Sequence, residues 1–539
     1  MKNSFFLVIP KQQANPQRLK EFEPTALQSW LDSLPAGNPR LTTRLLHDFI
    51  RSFNAIKMPF QLRLDTLETL RPIFFTIEDY LRGRLIKLGF PKEDNDAKIL
   101  NTLVSIEREF TIGYWTILKE LTQSNVGWFQ GKNTALALQR CIKGLSSIII
   151  SHFIMGMPIP DWVWLDIHSL YQLSIKIKKD TVKVENNTGH SSKPSSAEEC
   201  YFQILLLGLA DPTGLMQKEI LSVYNFIETV ASLVSFKSTP VPKQAVQCMV
   251  LIDEDSAPFF QIESVSKIDS TPRYLDFTKV YQAFEQKRSW VEGADARFSS
   301  LFARSNTEQK PSLELLDYLK QRWSGVSLQG APLFSDRLDR YIAIGFEATY
   351  ELQIPNPLEG LVDDSDLEFL AQSESERLLS CIFKKPDVMS VGSLVSYRKA
   401  DSPRRQRSLG IVDKVVVVKP AGKILFGMQL LTEKSLSISY LQLDVNNTET
   451  PKKALFYTIS VEQENKSYII IDTFMLKEND VIKLFVGNAE FLVALLNRKN
   501  IGLGYWQFEC FRLPEKEVVE AFKHNDDDED DNDTNYNFV

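Results

Sequence analysis

The sequence lacks several patterns that would place it in a common functional class. Its five cysteines have no CxxC spacing, which disfavours a zinc site and a disulfide framework and fits a reducing cytoplasm. The first ten residues, MKNSFFLVIP, contain no long apolar core followed by a small-residue cleavage site, so we expect no secretory signal. The longest apolar stretch, residues 144–157, is too short and too polar to span a bilayer and predicts a buried helix. We therefore expect a cytoplasmic protein with no membrane span.

An excess of one charge is also missing from the body of the chain. The net charge of -7 comes from residues 525–539, which hold seven acidic residues and no basic one. Without these seven, the 69 acidic residues fall to 62 and equal the 62 basic ones. A balanced body disfavours a DNA- or RNA-binding protein, which would carry a large basic excess. We expect residues 516–539 to form an acidic, disordered tail.

The motifs of common enzymes are absent as well. GxSxG, HExxH, Walker A and GxGxxG patterns do not occur in a usable context. His47, His152 and His168 lie in helical stretches without the i, i+4 spacing that a metal site prefers. Because no nucleophile is placed with a base, we predict that the protein is not an enzyme and uses no cofactor or metal.

Hydrophobic periodicity divides the chain into a helical half and a β-rich half. Residues 1–236 repeat apolar side chains at three- and four-residue steps, the period of a helix. Within this region, the polar and turn-rich residues 179–199 predict a flexible linker. Residues 237–330 mix the first predicted strands with two helices and form a connecting region. Strands dominate from there to about residue 511, with a clear hairpin turn at residues 419–422.

The stretch SDRLDRYIAIGFEATYEL, residues 335–352, places Arg337 and Arg340 in front of an alternating apolar run. Because side chains alternate faces along a strand, this pattern predicts a strand entered through a basic turn. Two interpretations of the arginines remain open. They form half of a phosphate clamp, or they are turn charges that pair locally with Asp336 and Asp339 for little energy.

A second basic segment, residues 398–407, has the sequence RKADSPRRQR, with five basic residues and one acidic residue. It is either a local anion site or a solvated hairpin loop.

Two further stretches are YFQILLLGLADPTGL, residues 201–215, and LDYLKQRWSG, residues 316–325. Together with residues 335–352 they resemble segments of large bacterial proteins that carry a C-terminal PilZ domain. Residues 391–431 are similar to the closing strands of a PilZ barrel, with the matching strands at residues 391–395, 409–412 and 426–431.

PilZ domains are small six-stranded barrels that bind cyclic di-GMP, a bacterial second messenger. The resemblance implies an α+β protein whose helical half is followed by a PilZ-like antiparallel β-barrel at residues 331–445 and a second small β domain at residues 446–515. The family motif is RxxxR before the first strand and [DN]xSxxG on a later one. Arginine suits this ligand because its planar fork binds phosphate bidentately and stacks on guanine.

The resemblance implies that Arg337, Arg340, Ser373 and Ser375 bind cyclic di-GMP. The chain departs from the motif at several positions. The arginines are spaced RxxR, Ser373 replaces Asp or Asn, and Leu378 replaces Gly. The glutamates on either side of Ser375 bring negative charge toward a dianionic ligand.

The function implied is that of a PilZ-type signalling or adaptor protein. Cyclic di-GMP is its possible ligand, and the helical half contacts an unidentified protein partner. The alternative is a scaffold protein that keeps the barrel without binding nucleotide.

Overall fold

A computed structural model of the protein describes residues 4–86, 89–123, 131–186, 193–242, 244, 246–262, 272–286, 311–325, 338–354, 367–418, 422–443, 450–461 and 464–513. Over these ranges the chain forms a helical N-terminal half, a four-stranded sheet and two closed six-stranded antiparallel barrels, in that order. The predicted α+β architecture is confirmed. The predicted tail at residues 516–539 lies outside the described residues.

The helices of the N-terminal half are α1 (Pro16–Leu19), α2 (Pro24–Asp32), α3 (Pro39–Asn54), α4 (Phe60–Leu85), α5 (Asp94–Gln123), α6 (Gly131–Ile154), α7 (Val163–Lys176), α8 (Ala197–Leu209) and α9 (Gln217–Ile227). Asn38 caps the start of α3 by accepting a hydrogen bond from the Leu41 N–H. Long α5 and α6 pack against each other and bury much of their length. No helix in the described ranges is long and apolar enough to cross a membrane.

The segment predicted as a flexible linker is packed where the structure describes it. Val184 and Ser195 pair as an antiparallel bridge, and Asn186 is buried. The amide of Gln139 on α6 donates to Asn186 Oδ1 and to Ser195 Oγ, both at 2.9 Å. The polar side chains of this segment predict a solvated linker, but Asn186 and Ser195 instead form hydrogen bonds with a buried polar side chain of α6. Residues 187–192 of the predicted linker lie outside the described residues.

The four-stranded sheet has the order β1-β4-β2-β3, with β1 (Ser235–Lys237), β2 (Val246–Val250), β3 (Phe259–Ile262) and β4 (Arg273–Asp276). Helices α10 (Thr278–Gln286) and α11 (Leu313–Trp323) follow it. Trp323 is fully buried, and its Nε1–H donates to the Leu206 carbonyl at 3.0 Å. The sheet and α11 thereby share one hydrophobic core with the helical half.

The first barrel has the strand order β10-β7-β6-β5-β8-β9. Its elements are β5 (Arg340–Ile344), α12 (Phe346–Gln353), β6 (Phe369–Ser373), β7 (Leu379–Ile382), β8 (Leu394–Lys399), β9 (Ser408–Val418) and β10 (Lys423–Thr432). The strand predicted after the two arginines is present as β5 and ends at Ile344. Gly345 has φ of 92°, a conformation that favours glycine, and it turns the chain out of the sheet. The Glu, Ala, Leu and Gln residues that follow favour the helix α12.

The second barrel has the order β11-β12-β13-β16-β15-β14. Its strands are β11 (Leu436–Gln442), β12 (Lys452–Val461), β13 (Glu464–Ile471), β14 (Val481–Val486), β15 (Ala489–Asn500) and β16 (Trp506–Arg512). Strand β11 pairs with β12 and β14, so it belongs to this barrel and not to the predicted domain at residues 331–445. The last strand of the first barrel, β10, ends at Thr432, and three residues, 433–435, separate it from β11.

The first barrel is anchored to the helical half by two inserted side chains. Phe90 and Met216 are both buried in the barrel's core. The Phe90 N–H donates to the Met389 carbonyl at 2.6 Å, in the connection between β7 and β8. Asp211 adds ion pairs to Lys414 on β9 at 3.3 Å and to Arg322 on α11 at 3.2 Å.

The two barrels share a further apolar interface. Its buried side chains come from α12 and the outer wall of the first barrel and from strands and a loop of the second: Phe346, Leu394, Leu409, Ile411, Leu455, Tyr457, Ile470 and Ile501.

His168 on α7 makes the stability of the helical half depend on pH. Burial lowers the pKa of His168 to about 4, although its hydrogen bond to the Ser256 carbonyl acts in the opposite direction. Its ring nitrogens lie 2.7 Å from the Tyr201 hydroxyl and 2.9 Å from the Ser256 oxygen. An unfolded histidine titrates near pH 6.5, so below that pH the unfolded chain binds a proton that the folded chain does not.

We predict that the contribution of His168 to the free energy of unfolding is fully present above about pH 6.5. It is lost as the pH falls toward 4, by up to roughly 3 kcal/mol. In urea unfolding at several pH values, the free energy of unfolding should fall less steeply with decreasing pH for His168→Gln than for the wild type. Gln28→Ala, at an exposed residue of α2 that does not titrate, is the control and should keep the wild-type slope. Equal slopes for the wild type and His168→Gln would contradict the prediction.

Candidate functional site

Three segments that the sequence singles out meet at one end of the first barrel. Arg340 opens β5 and lies opposite Ala371 on β6 and Lys399 on β8. The turn that joins β6 to β7, residues 374–378, and the connection from β8 to β9, residues 400–407, are therefore at the same end. We call this end of the first barrel the open rim. The opposite end carries the connection from β7 to β8, which contacts Phe90 of the helical half.

Arg340 lies at the open rim and points inward. It alternates with Tyr341 and shares a face with Ile342, which is part of the barrel core. The side chain is buried, and its Nη1 donates to the Leu338 carbonyl. Arg340 is therefore not an exposed turn charge. Arg337 lies outside the described residues, so its side chain is not placed.

Ser373 and Ser375 lie at the tip of the β6–β7 hairpin, where their hydroxyls form the turn. Ser375 Oγ accepts hydrogen bonds from the N–H groups of Arg377 at 3.3 Å and Leu378 at 3.1 Å. The Ser373 hydroxyl donates to the Ser375 carbonyl at 3.3 Å. The structure thus brings Arg340, Ser373 and Ser375 to one rim, with the hydroxyl oxygen of Ser375 engaged in the turn itself.

Glu374 next to them is held by the barrel wall. Its Oε1 accepts from Lys423 Nζ at 2.6 Å and from the Ser380 hydroxyl at 2.7 Å. The hydrogen bond from Lys423 is the largest cause that lowers the pKa of Glu374. The carboxylate is therefore ionised and directed along the strands by its two partners.

The basic segment at residues 398–407 is not simply a solvated loop. Arg398 uses Nε and Nη2 to bind the two oxygens of Glu368, at 3.0 and 2.9 Å. Arg407 Nη1 donates to the same carboxylate, and the Arg407 side chain is fully buried. The Arg398 guanidinium also lies over the Tyr341 ring, 4.5 Å from its centroid. The solvated-loop interpretation is wrong for both arginines, which form a built anion site that holds the chain's own carboxylate.

The two arginines keep Glu368 charged. Burial pushes the pKa of Glu368 upward, but the hydrogen bonds and charges of Arg398 and Arg407 outweigh burial and leave this pKa below its ordinary value. Sequence analysis missed Glu368. It lies 30 and 39 residues from its partners, and no local pattern marks it.

The helical half contains a separate charged cleft of about 280 Å³ between α4, α5, α6 and α9. Arg82 Nη2 lies 2.8 Å from Glu78 and 3.0 Å from Glu107. Burial raises the pKa of Glu107 well above its ordinary value, with Arg82 opposing the rise and Glu78 adding to it. This network joins α4 to α5, and Ser147 links it to α6. We assign it a structural role in packing the helices.

Comparison with known proteins links the helical half to a receptor family. Residues 25–242 match the family described as "Cyclic-di-GMP receptor FimW, N-terminal domain". The Cyclic-di-GMP receptor FimW of Pseudomonas aeruginosa is 24% identical to the chain over 309 residues, which are 56% of this chain and 49% of that protein. The chain thus spans about half the length of this curated relative.

A solved structure described as "MrkH, A novel c-di-GMP dependence transcription regulatory factor" is similar over 35% of this chain and 83% of its own. Its sequence identity is 8% and the TM-score is 0.14, so this likeness carries no argument about fold or function.

The turn geometry predicts a structural role for Ser375. Ser375→Ala removes the acceptor of two backbone N–H groups in a half-buried turn and should lower stability by about 1 kcal/mol. Ser373→Ala, which removes one longer hydrogen bond, is the matched control and should cost less. Urea or thermal unfolding measures both, and a stability of Ser375→Ala equal to that of the wild type would show that the turn does not depend on its hydroxyl.

Proposed function

We propose that the protein is a cyclic di-GMP receptor that relays ligand binding to a protein partner. The observation that carries this proposal is the match of residues 25–242 to the N-terminal domain of a cyclic di-GMP receptor family. The closed six-stranded barrel gives independent support, since Arg340, Ser373 and Ser375, three of the residues implied by the PilZ resemblance, lie at its open rim.

In this proposal Arg337 and Arg340 bind the phosphates of the dinucleotide, and the hairpin turn with Ser373 and Ser375 lies beside its guanines. Arginine is suited to this role because one planar fork can donate to two phosphate oxygens or stack on a base. Arg340 is buried at the rim. Ligand binding therefore requires its side chain to exchange its contact with the Leu338 carbonyl for a phosphate oxygen.

Contacts between the barrel and the helical half provide a route for relay. Phe90 and Met216 belong to the barrel core, while Asp211 joins Lys414 of the barrel to Arg322. A change in the barrel therefore alters contacts made by residues of the helical half. Ligand binding shifts the equilibrium between two arrangements of the barrel and the helical half only as far as the ligand's affinities for these arrangements differ.

The second candidate function is a scaffold that keeps the barrel without binding nucleotide. It is favoured by the burial of Arg340 and by the use of the Ser375 hydroxyl within its own turn. Leu378, in place of the motif's glycine, also limits close approach of a ligand to the backbone.

Calorimetric titration of the full chain with cyclic di-GMP tests the proposal. We expect saturable binding, and Arg337→Gln should weaken it by about tenfold or more because a phosphate loses a charged donor. Arg340→Lys, which keeps the charge and removes the fork, should also weaken binding. Arg44→Gln, an exposed charge on α3, is the control and should bind like the wild type. Absence of heat at high micromolar ligand would reject the receptor and leave the scaffold.

A further inference from the structure

An arginine pair on the wall of the first barrel holds an internal carboxylate in the way that proteins hold a phosphate. Arg398 presents the two nitrogens of its fork to the two oxygens of Glu368, at 3.0 and 2.9 Å. Arg407 approaches one of these oxygens from the start of β9. Paired N–H donors spaced in this way also match two oxygens of a phosphate group.

The pair is oriented by groups other than Glu368. Arg407 Nε donates to Ser396 Oγ at 2.8 Å, and Nη2 donates to the carbonyls of Ser396 and Tyr341 at 3.3 and 3.4 Å. Arg398 Nη1 donates to the Ser402 carbonyl at 3.0 Å. Both guanidiniums are therefore held in place by neutral partners, so the site keeps its shape when the carboxylate leaves.

The net charge of Arg398, Arg407 and Glu368 favours binding of an anion with more negative charge than the Glu368 carboxylate. Two guanidiniums face one carboxylate, and the cluster is largely withdrawn from solvent. The Arg407 side chain is 0% exposed, Arg398 is 13% exposed and Glu368 is 11% exposed. An excess positive charge in such a site attracts anions more strongly than the same charge in water.

The cluster adjoins the open rim. Arg398 lies directly opposite Tyr341, next to the pair formed by Arg340 and Lys399. Because side chains alternate along a strand, the cluster faces the outer wall while Arg340 faces the core, so a ligand that contacts both crosses the rim between the two faces.

We propose that Arg398 and Arg407 form a phosphate subsite, which Glu368 occupies in the protein without ligand and which a phosphate group of the ligand takes by displacing Glu368. The identity of that ligand as cyclic di-GMP rests on the proposed function above. Glu368 is thus an internal competitor that weakens ligand binding, and Arg398 and Arg407 are binding residues outside the predicted motif.

The test compares Glu368→Gln with the wild type, using cyclic di-GMP and inorganic phosphate as separate probes. Glutamine retains the shape and one oxygen acceptor but not the charge. We expect Glu368→Gln to bind both probes about tenfold more tightly, because the competing carboxylate is gone. The double variant Glu368→Gln, Arg398→Gln should lose this gain.

Glu490→Gln is the matched control, since it also removes a glutamate charge paired with a lysine, here Lys483 in the second barrel, away from the rim. Its phosphate affinity should equal that of the wild type. A gain as large as that of Glu368→Gln would show a general charge effect and overturn the subsite. Thermal unfolding in phosphate and in chloride checks folding and gives a second measure. Phosphate should raise the melting temperature of Glu368→Gln more than that of the wild type.

The results separate the two proposals. Failure of Glu368→Gln to bind phosphate more tightly than the wild type overturns the subsite even where the wild type binds cyclic di-GMP. Tighter phosphate binding by Glu368→Gln, with cyclic di-GMP ignored by both proteins, supports the subsite and rejects cyclic di-GMP as its ligand.

Discussion

The insertion of Phe90 and Met216 into the core of the first barrel is the contact on which the arrangement of the site depends. Two apolar side chains from the helical half complete a core that the barrel's own strands leave open at one end. Burying a phenylalanine or methionine contributes roughly 1.5–3 kcal/mol, enough to fix the position of one domain on another. Asp211 adds ion pairs to Lys414 of the barrel and to Arg322 of α11. This contact closes one end of the barrel, and Arg340, Ser373 and Ser375 lie at the other.

At the open rim, polar side chains of the protein form hydrogen bonds and ion pairs with other groups of the same chain. Ser375 caps a turn, Glu374 binds Lys423, and Glu368 binds both Arg398 and Arg407. A buried arginine cannot be left without an anion or acceptor at low cost, so each internal partner lowers the energy of the protein without ligand. The same partners then oppose binding. The affinity of such a rim is set by the difference between its internal contacts and those that the ligand offers.

Sequence periodicity predicts most of the fold, because long helices and long hairpins carry their signal locally. The pairing of β9 with β10 follows from the alternation of their side chains and from the Pro and Gly residues between them in the sequence. Short elements were harder to predict. Strands β6 and β7 have five and four residues, too few for a period to emerge. The change from β5 to α12 depends on the backbone of Gly345. In the site, the resemblance singles out Ser375 but does not predict its hairpin turn, and the partnership of Glu368 with Arg398 and Arg407 depends on barrel closure.

Closure of the barrels also limits how other chains can attach. Within the described residues each barrel strand is paired on both sides, so neither barrel offers unpaired backbone groups along an edge. The sheet of β1 to β4 is different, because β1 and β3 each have a neighbour on one side. An extended peptide can add to a sheet only where an edge strand has N–H and C=O groups to share. Recruitment by β-augmentation is thus confined, in this part of the chain, to the small sheet between the helices and the barrels, and contacts at the barrels must be made by side chains.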